Sequence, residues 1–315
     1  MGASNFTSSV DNIFLFILAI SVALLIGITV TMIYFIIRYN HKRNPRATDI
    51  PGNVTLEVVW TVIPLLIVMG FFYYGYIDYQ KMRDFPEDAL QIKVTGRMWS
   101  WLYTYPNGLQ TDTLYLPVGK PVTVNLESVD VIHSFYIPAF RLKMDAVPGV
   151  DTKMWFEIEK PGEYQVLCAE YCGDRHSYML SKVVGMPENE FEKWYATASA
   201  EIEAEKAAEK QAGAQPAGPS PKKGARLVQL KGCVACHSLD GSRLVGPSFK
   251  GMFGKTETVI VGGQEQQIVA DADYIRQSIL EPNAAIVKGY PPAMPPQDVT
   301  EEDIEHIIAY LKTLK

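Results

Sequence analysis

Two long apolar runs near the start of the chain restrict its fold more than anything else in it. Ile13 to Ile37 is broken only by small or weakly polar residues such as Ser21, Gly27, Thr29, Thr31 and Tyr34, and Val58 to Ile77 is a second such run. Each is about 20 residues or more, enough to cross ~30 Å of hydrocarbon as a helix. One such helix could be a soluble core element, but two in tandem read as a membrane hairpin. Pro64 is no obstacle, because neighbours in a membrane can satisfy the carbonyl it frees. The connecting segment carries Arg38, Lys42, Arg43 and Arg46, residues 1–12 carry no Lys or Arg, and the flank after the second run mixes Lys81 and Arg83 with Asp78, Asp84, Glu87 and Asp88. The bias of basic residues toward the cytoplasm therefore predicts an inner loop with both termini outside. No basic region precedes the first run, so it is expected to stay in place rather than be cleaved as a signal. Roughly 240 residues are then left on the outer face.

The outer part changes character twice. From residue 85 to Met186 the apolar residues come in short alternating runs: Gln91-Ile-Lys-Val-Thr, Pro121-Val-Thr-Val-Asn-Leu, Lys153-Met-Trp-Phe-Glu-Ile-Glu and Tyr164-Gln-Val-Leu-Cys. Pro106-Asn-Gly108, Pro117-Val-Gly119, Pro148-Gly149 and Pro161-Gly162 punctuate them, which predicts an antiparallel sandwich or barrel. Residues 187–221 form a connector. Its Ala/Glu/Lys-rich half, Glu188 to Gln211, predicts a helix with Lys206 spaced to pair with Glu203 and Glu209 and with Phe191 and Trp194 docked on the strand domain. Its Ala/Gly/Pro half, Ala212 to Pro221, predicts a flexible linker. Residues 222–315 read as a small all-α domain whose last helix starts at the N-cap Thr300, with Asp303 three later and Ile304, Ile307, Ile308, Leu311 and Leu314 as its stripe. The fold class is therefore multidomain: a two-helix transmembrane hairpin over residues 1–84, an all-β unit over 85–186, then an all-α unit. A formal charge of −6 and the lack of a basic run with interleaved aromatics exclude nucleic acid as a natural partner.

All 4 cysteines fall in ligand-dense runs. Cys233-Val-Ala-Cys236-His237 has the spacing of covalent haem attachment, where two thioethers fix the porphyrin edge and the next residue offers an imidazole to iron. A thioredoxin-like pair would want a βαβ setting, whereas these cysteines follow a short helix-like run, and a zinc half-site would want a second cysteine pair downstream, where there is none. For the sixth ligand Met294, in Pro291-Pro-Ala-Met-Pro-Pro296, is favoured over Met252 and His306; a His/Met pair raises the potential relative to bis-His. The second run, Cys168-Ala-Glu170-Tyr-Cys172-Gly-Asp-Arg-His176-Ser-Tyr-Met179, joins His133 as a soft donor set that selects copper. Two thiolates can bridge two copper ions with an imidazole at either end. A Cys168–Cys172 disulfide and a Cys2His2 zinc site are the alternatives, and neither uses Met179.

This donor set resembles the dinuclear copper A centre of cytochrome c oxidase subunit II, on a cupredoxin barrel behind a two-helix anchor; the match covers about residues 10 to 195. The last 95 residues or so resemble class I cytochromes c, with Gly224 and Leu227 on the first helix and Tyr310 on the last at helix-packing positions. Together they resemble the fused, caa-type subunit II. The resemblance implies the main-chain carbonyl of Glu170 as a copper ligand, with its carboxylate on a magnesium ion at the subunit I boundary. It implies Trp99, in Gly96-Arg-Met-Trp99-Ser-Trp101-Leu-Tyr103, as the point where electrons enter the copper centre, while Trp101 and Tyr103 read equally well as barrel filling. Glu57 resembles an acid near the mouth of a proton channel, although a carboxylate there also stabilises a helix N-terminus. The partners implied are subunit I with haem a and copper B, subunit III and an external electron donor; the setting is a bacterial cell membrane crossed twice. Tethering the haem unit would hold it near the copper at about millimolar effective concentration. A copper-A nitric oxide reductase subunit and a membrane-anchored copper carrier or redox sensor remain alternatives.

Overall fold

The computed structural model describes residues 2–211 and 218–315. Helices α1 (Thr7–Arg38) and α2 (Val54–Arg83) are 32 and 30 residues long, about 45 Å each at 1.5 Å per residue. Both extend past their apolar runs. Their large apolar side chains, from Phe14 through Tyr76, lie on the outside of the molecule, as a lipid-facing pair requires. Phe16 meets Phe71 and Tyr74 edge-on between them. Asn53 caps α2 by accepting from the Leu56 N–H, and Glu57 lies exposed in its first turn. The helix continues through Pro64.

The β unit has strands β1 (Leu90–Arg97), β2 (Ser100–Thr104), β3 (Gln110–Thr111), β4 (Leu114–Pro117), β5 (Pro121–Ser128), β6 (His133–Ile137), β7 (Leu142–Ala146), β8 (Thr152–Glu157), β9 (Gly162–Cys168) and β10 (Leu180–Met186). They form two five-stranded sheets, ordered β3-β2-β1-β5-β8 and β4-β10-β9-β6-β7. Most pairs are antiparallel, but β1 with β5 and β4 with β10 are parallel. Ile92, Val94, Val122, Val124, Leu126, Phe135, Phe140 and Phe156 close the core. Trp101 and Tyr103 are buried within it, so for these two the barrel-filling reading holds. Helix α3 (Glu188–Gln211) docks as its sequence predicts: Phe191 is buried, and Trp194 lies 4.5 Å from Tyr115 between ring centroids. The side-chain pairing expected of Lys206, and residues 212–217 of the expected linker, lie outside what is described.

The last unit has α4 (Pro221–Leu230), α5 (Ala272–Leu280) and α6 (Glu301–Leu311) around Val228, Ile275, Ile304, Ile307, Ile308 and Leu311. Helix α4 begins at Pro221 with Ser220 as its cap, so these two residues of the expected linker belong to the helix. Gly224 allows α4 to lie against α6, since a Cβ there would run into the His306 carbonyl. The Thr300/Asp303 capping box is present. The unit also carries strands the helical reading did not list: β11 (Thr256–Val261), β12 (Gln264–Val269) and the short β13 (Ile286–Val287). Gly262 and Gly263, both at positive φ, make the two-residue turn between β11 and β12.

Residues before α1 are part of the barrel. Asn5 N–H donates to the Glu157 carbonyl at 3.1 Å, and Glu159 N–H donates to that of Ala3 at 3.0 Å. Thr7 Oγ1 donates to the Ala139 carbonyl. Phe6 is 4 % exposed and packs edge-on to Trp155 at 4.9 Å. Replacing Phe6 by Ala should cost the barrel about 3 kcal/mol. Near-ultraviolet circular dichroism of the full chain should show the barrel melting earlier while the last unit melts unchanged; an unmoved barrel transition would show that Phe6 anchors nothing.

Candidate metal centre and haem site

The cysteine-rich loop leaves β9 at Cys168 and returns at Leu180, the start of β10. Strand β6 pairs with β9 so that Phe135 lies opposite Cys168, which puts His133, two residues back, above the strand end. Cys168 Sγ and Cys172 Sγ are 3.7 Å apart. Both thiols are free, at a separation far beyond the ~2.05 Å of a disulfide bond. His133 Nδ1 lies 3.9 Å from Cys168 Sγ, and His176 Nδ1 lies 3.5 Å from Cys172 Sγ. The Glu170 carbonyl is 3.2 Å from Cys168 Sγ, and Met179 Sδ is 3.9 Å from Cys172 Sγ. The ligand atoms of His133, Cys168 and Cys172 lie within 4.8 Å of one another. All six predicted donors therefore meet in one place.

The two sulfurs do not ionise independently. A hydrogen bond from Cys172 pulls Cys168 down to about 3 against the cost of burial, with His133 assisting. That same contact, with burial, pushes Cys172 strongly up. A second negative charge so close to the first needs cations between them. Two thiolates, two imidazoles, a thioether and a carbonyl suit a pair of copper ions, whereas a tetrahedral Cys2His2 zinc site would leave Met179 and Glu170 unused.

Asp130 is a site residue the sequence reading missed. Its Oδ1 accepts from His133 Nε2 at 2.8 Å, which leaves Nδ1 as the lone pair facing the sulfurs. Burial would raise the Asp130 pKa, but hydrogen bonds from His133, Met98 N–H and Val131 N–H hold it below the usual range. Burial likewise acts to lower His133, and the bonds to Asp130 and Cys168 outweigh it, so its pKa is raised. The three-residue spacing Asp130-Val-Ile-His133 was the signal available. Trp99 is buried, and its Nε1–H donates to the Cys172 carbonyl at 2.9 Å. Gly173, at positive φ, leaves room for that ring, since a Cβ would lie 3.2 Å from Trp99 Cζ2.

In the last unit, Cys233 and Cys236 flank one helical turn, and His237 follows. Nδ1–H of His237 donates to the Pro247 carbonyl at 2.7 Å, fixing the tautomer that leaves Nε2 free. Its ring lies parallel to Phe249 at 4.5 Å, and a Cβ on Gly246 would lie 2.5 Å from its Cε1. Burial lowers the His237 pKa more than the Pro247 bond raises it, which favours the neutral imidazole a metal requires. Burial also pushes Cys233 and Cys236 up to about 11. These three residues line a cavity of about 530 Å³ with Ile275, Ile279 and Leu311. Buried polar atoms without partners, Arg97 Nε and Ser278 Oγ, belong to residues on its wall. An apolar slot with thiols at its edge, an imidazole on one side and orphaned polar atoms fits a haem. Met294 and Met252 both line it, and Met252 also packs into the helical core. His306 does not line the cavity. It is buried rather than exposed, and its Nδ1 accepts from the Ser220 N–H; its work is to join the start of α4 to α6.

The two sites face each other. Ala235, Cys236 and Val245 pack against the barrel core that contains Trp99, Cys168 and Cys172. Arg97 Nη1 donates to the Lys231 carbonyl at 3.3 Å, and the backbone at Gly232 leaves no room for a Cβ beside Ser100.

Comparison with known proteins matches residues 1–74 to the transmembrane domain of cytochrome c oxidase subunit II, residues 107–185 to its periplasmic domain, and residues 221–315 to cytochrome c. A cytochrome c oxidase subunit 2 of Alkalihalophilus pseudofirmus is 34% identical over 316 residues, covering 95% of this chain and 86% of that protein. One from Thermostichus vulcanus is 33% identical over 248 residues, 61% of this chain and 76% of that one. The crystallised periplasmic domain of a Bradyrhizobium japonicum oxidase subunit II shares 33% identity over 38% of this chain and 99% of its own, with a TM-score of 0.36. The matched domains imply copper A and haem c, a membrane anchor with periplasmic domains, and association with subunit I in a haem-copper oxidase. A likeness that runs through anchor, barrel and C-terminal unit alike leaves one assignment: this chain belongs to the cytochrome c oxidase subunit II family, as a member carrying its own cytochrome c domain.

Proposed function

We propose that the chain relays single electrons from haem c to copper A, and from there to haem a of subunit I, where oxygen is reduced to water with proton translocation. In this reading Cys233 and Cys236 would attach the haem, His237 and Met294 would bind its iron, and His133, Cys168, Cys172, His176, Met179 and the Glu170 carbonyl would hold the copper. The observation that carries it is the packing of Cys236 and Val245 on the same core as Cys168, Cys172 and Trp99. Haem and copper, when bound, supply two one-electron couples tuned by their soft axial and bridging ligands.

The chain's own residues do the rest. Cys168 and Cys172 offer sulfurs that two ions can share, which spreads the added charge and keeps geometric change small. Asp130 aims His133, which is fully buried. Trp99 is one hydrogen bond from the main chain of a ligand cysteine, which supports its role where electrons enter. The Glu170 carboxylate is exposed on the loop, free to reach a magnesium ion at the subunit I boundary. Glu57 stands exposed at the loop end of α2, at the mouth of a proton channel in subunit I on this reading. The basic connecting loop lies inside; both redox units and both termini lie outside, where an external donor reduces the haem, and subunit III is a further partner of the complex.

The purified complex should consume oxygen when reduced through the haem; turnover of nitric oxide without oxygen consumption would overturn the oxidase reading. Cys172→Ser should abolish the mixed-valence copper spectrum while haem stays attached, and a retained spectrum would remove Cys172 as a bridge. Met294→Ala should lower the haem potential and erase the sulfur–iron absorption band, whereas Met252→Ala should keep that band. Asp130→Asn should weaken copper retention by about 10- to 100-fold against a chelator; wild-type retention would leave Asp130 without a role in aiming His133.

A further inference from the structure

Arg97 ends β1, two residues before Trp99, and only 8 % of it is exposed. A guanidinium stays charged at any physiological pH, so it cannot escape the cost of burial by losing its proton. It therefore needs an anion or a full set of acceptors. It has one acceptor, the Lys231 carbonyl at 3.3 Å, and its Nε has no partner. Among the described residues no carboxylate pairs with it.

Its surroundings say where the missing anion lies. Arg97 is on the wall of the cavity that Cys233, Cys236 and His237 line. The other charged groups on that wall are already engaged. Asp130 Oδ1 takes His133 Nε2 and Val131 N–H, and its Oδ2 takes Met98 N–H. Glu257 takes Lys255 at 2.7 Å. Lys231 Nζ donates to the Asp298 main-chain carbonyl and lies 4.0 Å from that residue's carboxylate. His237 is neutral. What fills the cavity must then bring the negative charge, and a porphyrin brings carboxylates.

We propose that Arg97, from the copper-binding barrel, pairs with a carboxylate of the haem held by the C-terminal unit, and so latches the two redox units together. Its planar fork suits a carboxylate bidentately. Loading of haem then strengthens docking, and docking in turn stabilises the ionised haem carboxylate. The inference rests on haem being attached at Cys233 and Cys236.

The test uses the full chain loaded with haem and copper. The haem potential bends with pH where its carboxylates titrate. An adjacent guanidinium depresses such a pKa, so Arg97→Gln should move a bend to higher pH, while Arg97→Lys should leave it closer to the unmodified chain. Flash reduction of the haem should show electron transfer to copper slowed on the order of tenfold in Arg97→Gln, as the docked population falls. A bend that stays in place in Arg97→Gln, whether or not transfer slows, would reduce Arg97 to a packing residue and overturn the latch. A measurement on the unmodified chain stands apart from any folding defect: with isotope-labelled haem carboxylates, infrared spectra should show one carboxylate paired to guanidinium. Two identical solvated bands would overturn the proposal. Haem staining on a denaturing gel separates the two readings, because loss of covalent haem from the unmodified chain defeats the haem c assignment itself, whereas attached haem with an unmoved bend defeats Arg97 alone.

Discussion

Two cysteine sulfurs held 3.7 Å apart at the end of the barrel cannot both carry charge unless cations lie between them, and the surrounding structure is arranged around that demand. The pairing of β6 with β9 fixes where His133 stands over Cys168. Gly96 is needed beneath it, because a Cβ there would lie 3.1 Å from the His133 ring and 3.0 Å from Trp101. Asp130 turns that ring so the lone pair meets the sulfurs, and the same carboxylate also gathers Met98 N–H, next to Trp99. One acid thus organises both a ligand and the residue through which electrons are proposed to enter. Removing any of these supports would loosen a geometry that soft ligands alone do not enforce.

The haem unit meets this end of the barrel through a small set of groups, most of them main chain. Gly232 sits at positive φ and lets the chain before Cys233 lie directly on Ser100 of β2. Ala235, Cys236 and Val245 add an apolar patch. A tether raises the frequency of encounter between two units, but only contacts of this kind fix the orientation in which they meet. A buried guanidinium at the border adds a condition of its own, since it is costly unless an anion faces it. The interface is thereby made sensitive to what the cavity holds.

Much of this was legible in the sequence because chemistry and periodicity agree there. Tandem apolar runs, alternating strands and the capped α6 each obey a local rule, and the thiol-rich runs have few uses besides metals and haem. Asp130 was not singled out because an acid three residues before a histidine is common, and only the turn into β6 brings their side chains together. His306 was weighed as an iron ligand, since nothing in Glu305-His306-Ile307 reveals that Ser220 will lie against it. The β11–β12 hairpin was signalled by Gly262-Gly263, but β12 is polar and mostly exposed and only Val259 of β11 is buried, so no apolar alternation announced it. Arg97 was quoted only as part of an aromatic run. Its burial depends on a unit more than 130 positions away, which no local pattern encodes.

The attachment at the other end of the barrel is of a different kind. Asn5 and Glu157 exchange two hydrogen bonds, at 3.1 and 3.0 Å, just before α1 begins. Trp155, two residues earlier on the same strand, donates to the Lys81 carbonyl near the end of α2. Strand β8 therefore holds the outer ends of both membrane helices, with Phe6 driven into the core beside it. On the proposed electron path such a mount would hold the copper loop at a set distance from the subunit that receives its electrons. On that path the haem unit needs no such fixity, because an external donor would have to reach it. Deep apolar burial with main-chain bonding on one side, and a small apolar patch beside one under-satisfied guanidinium on the other, give the two ends of the barrel different kinds of attachment.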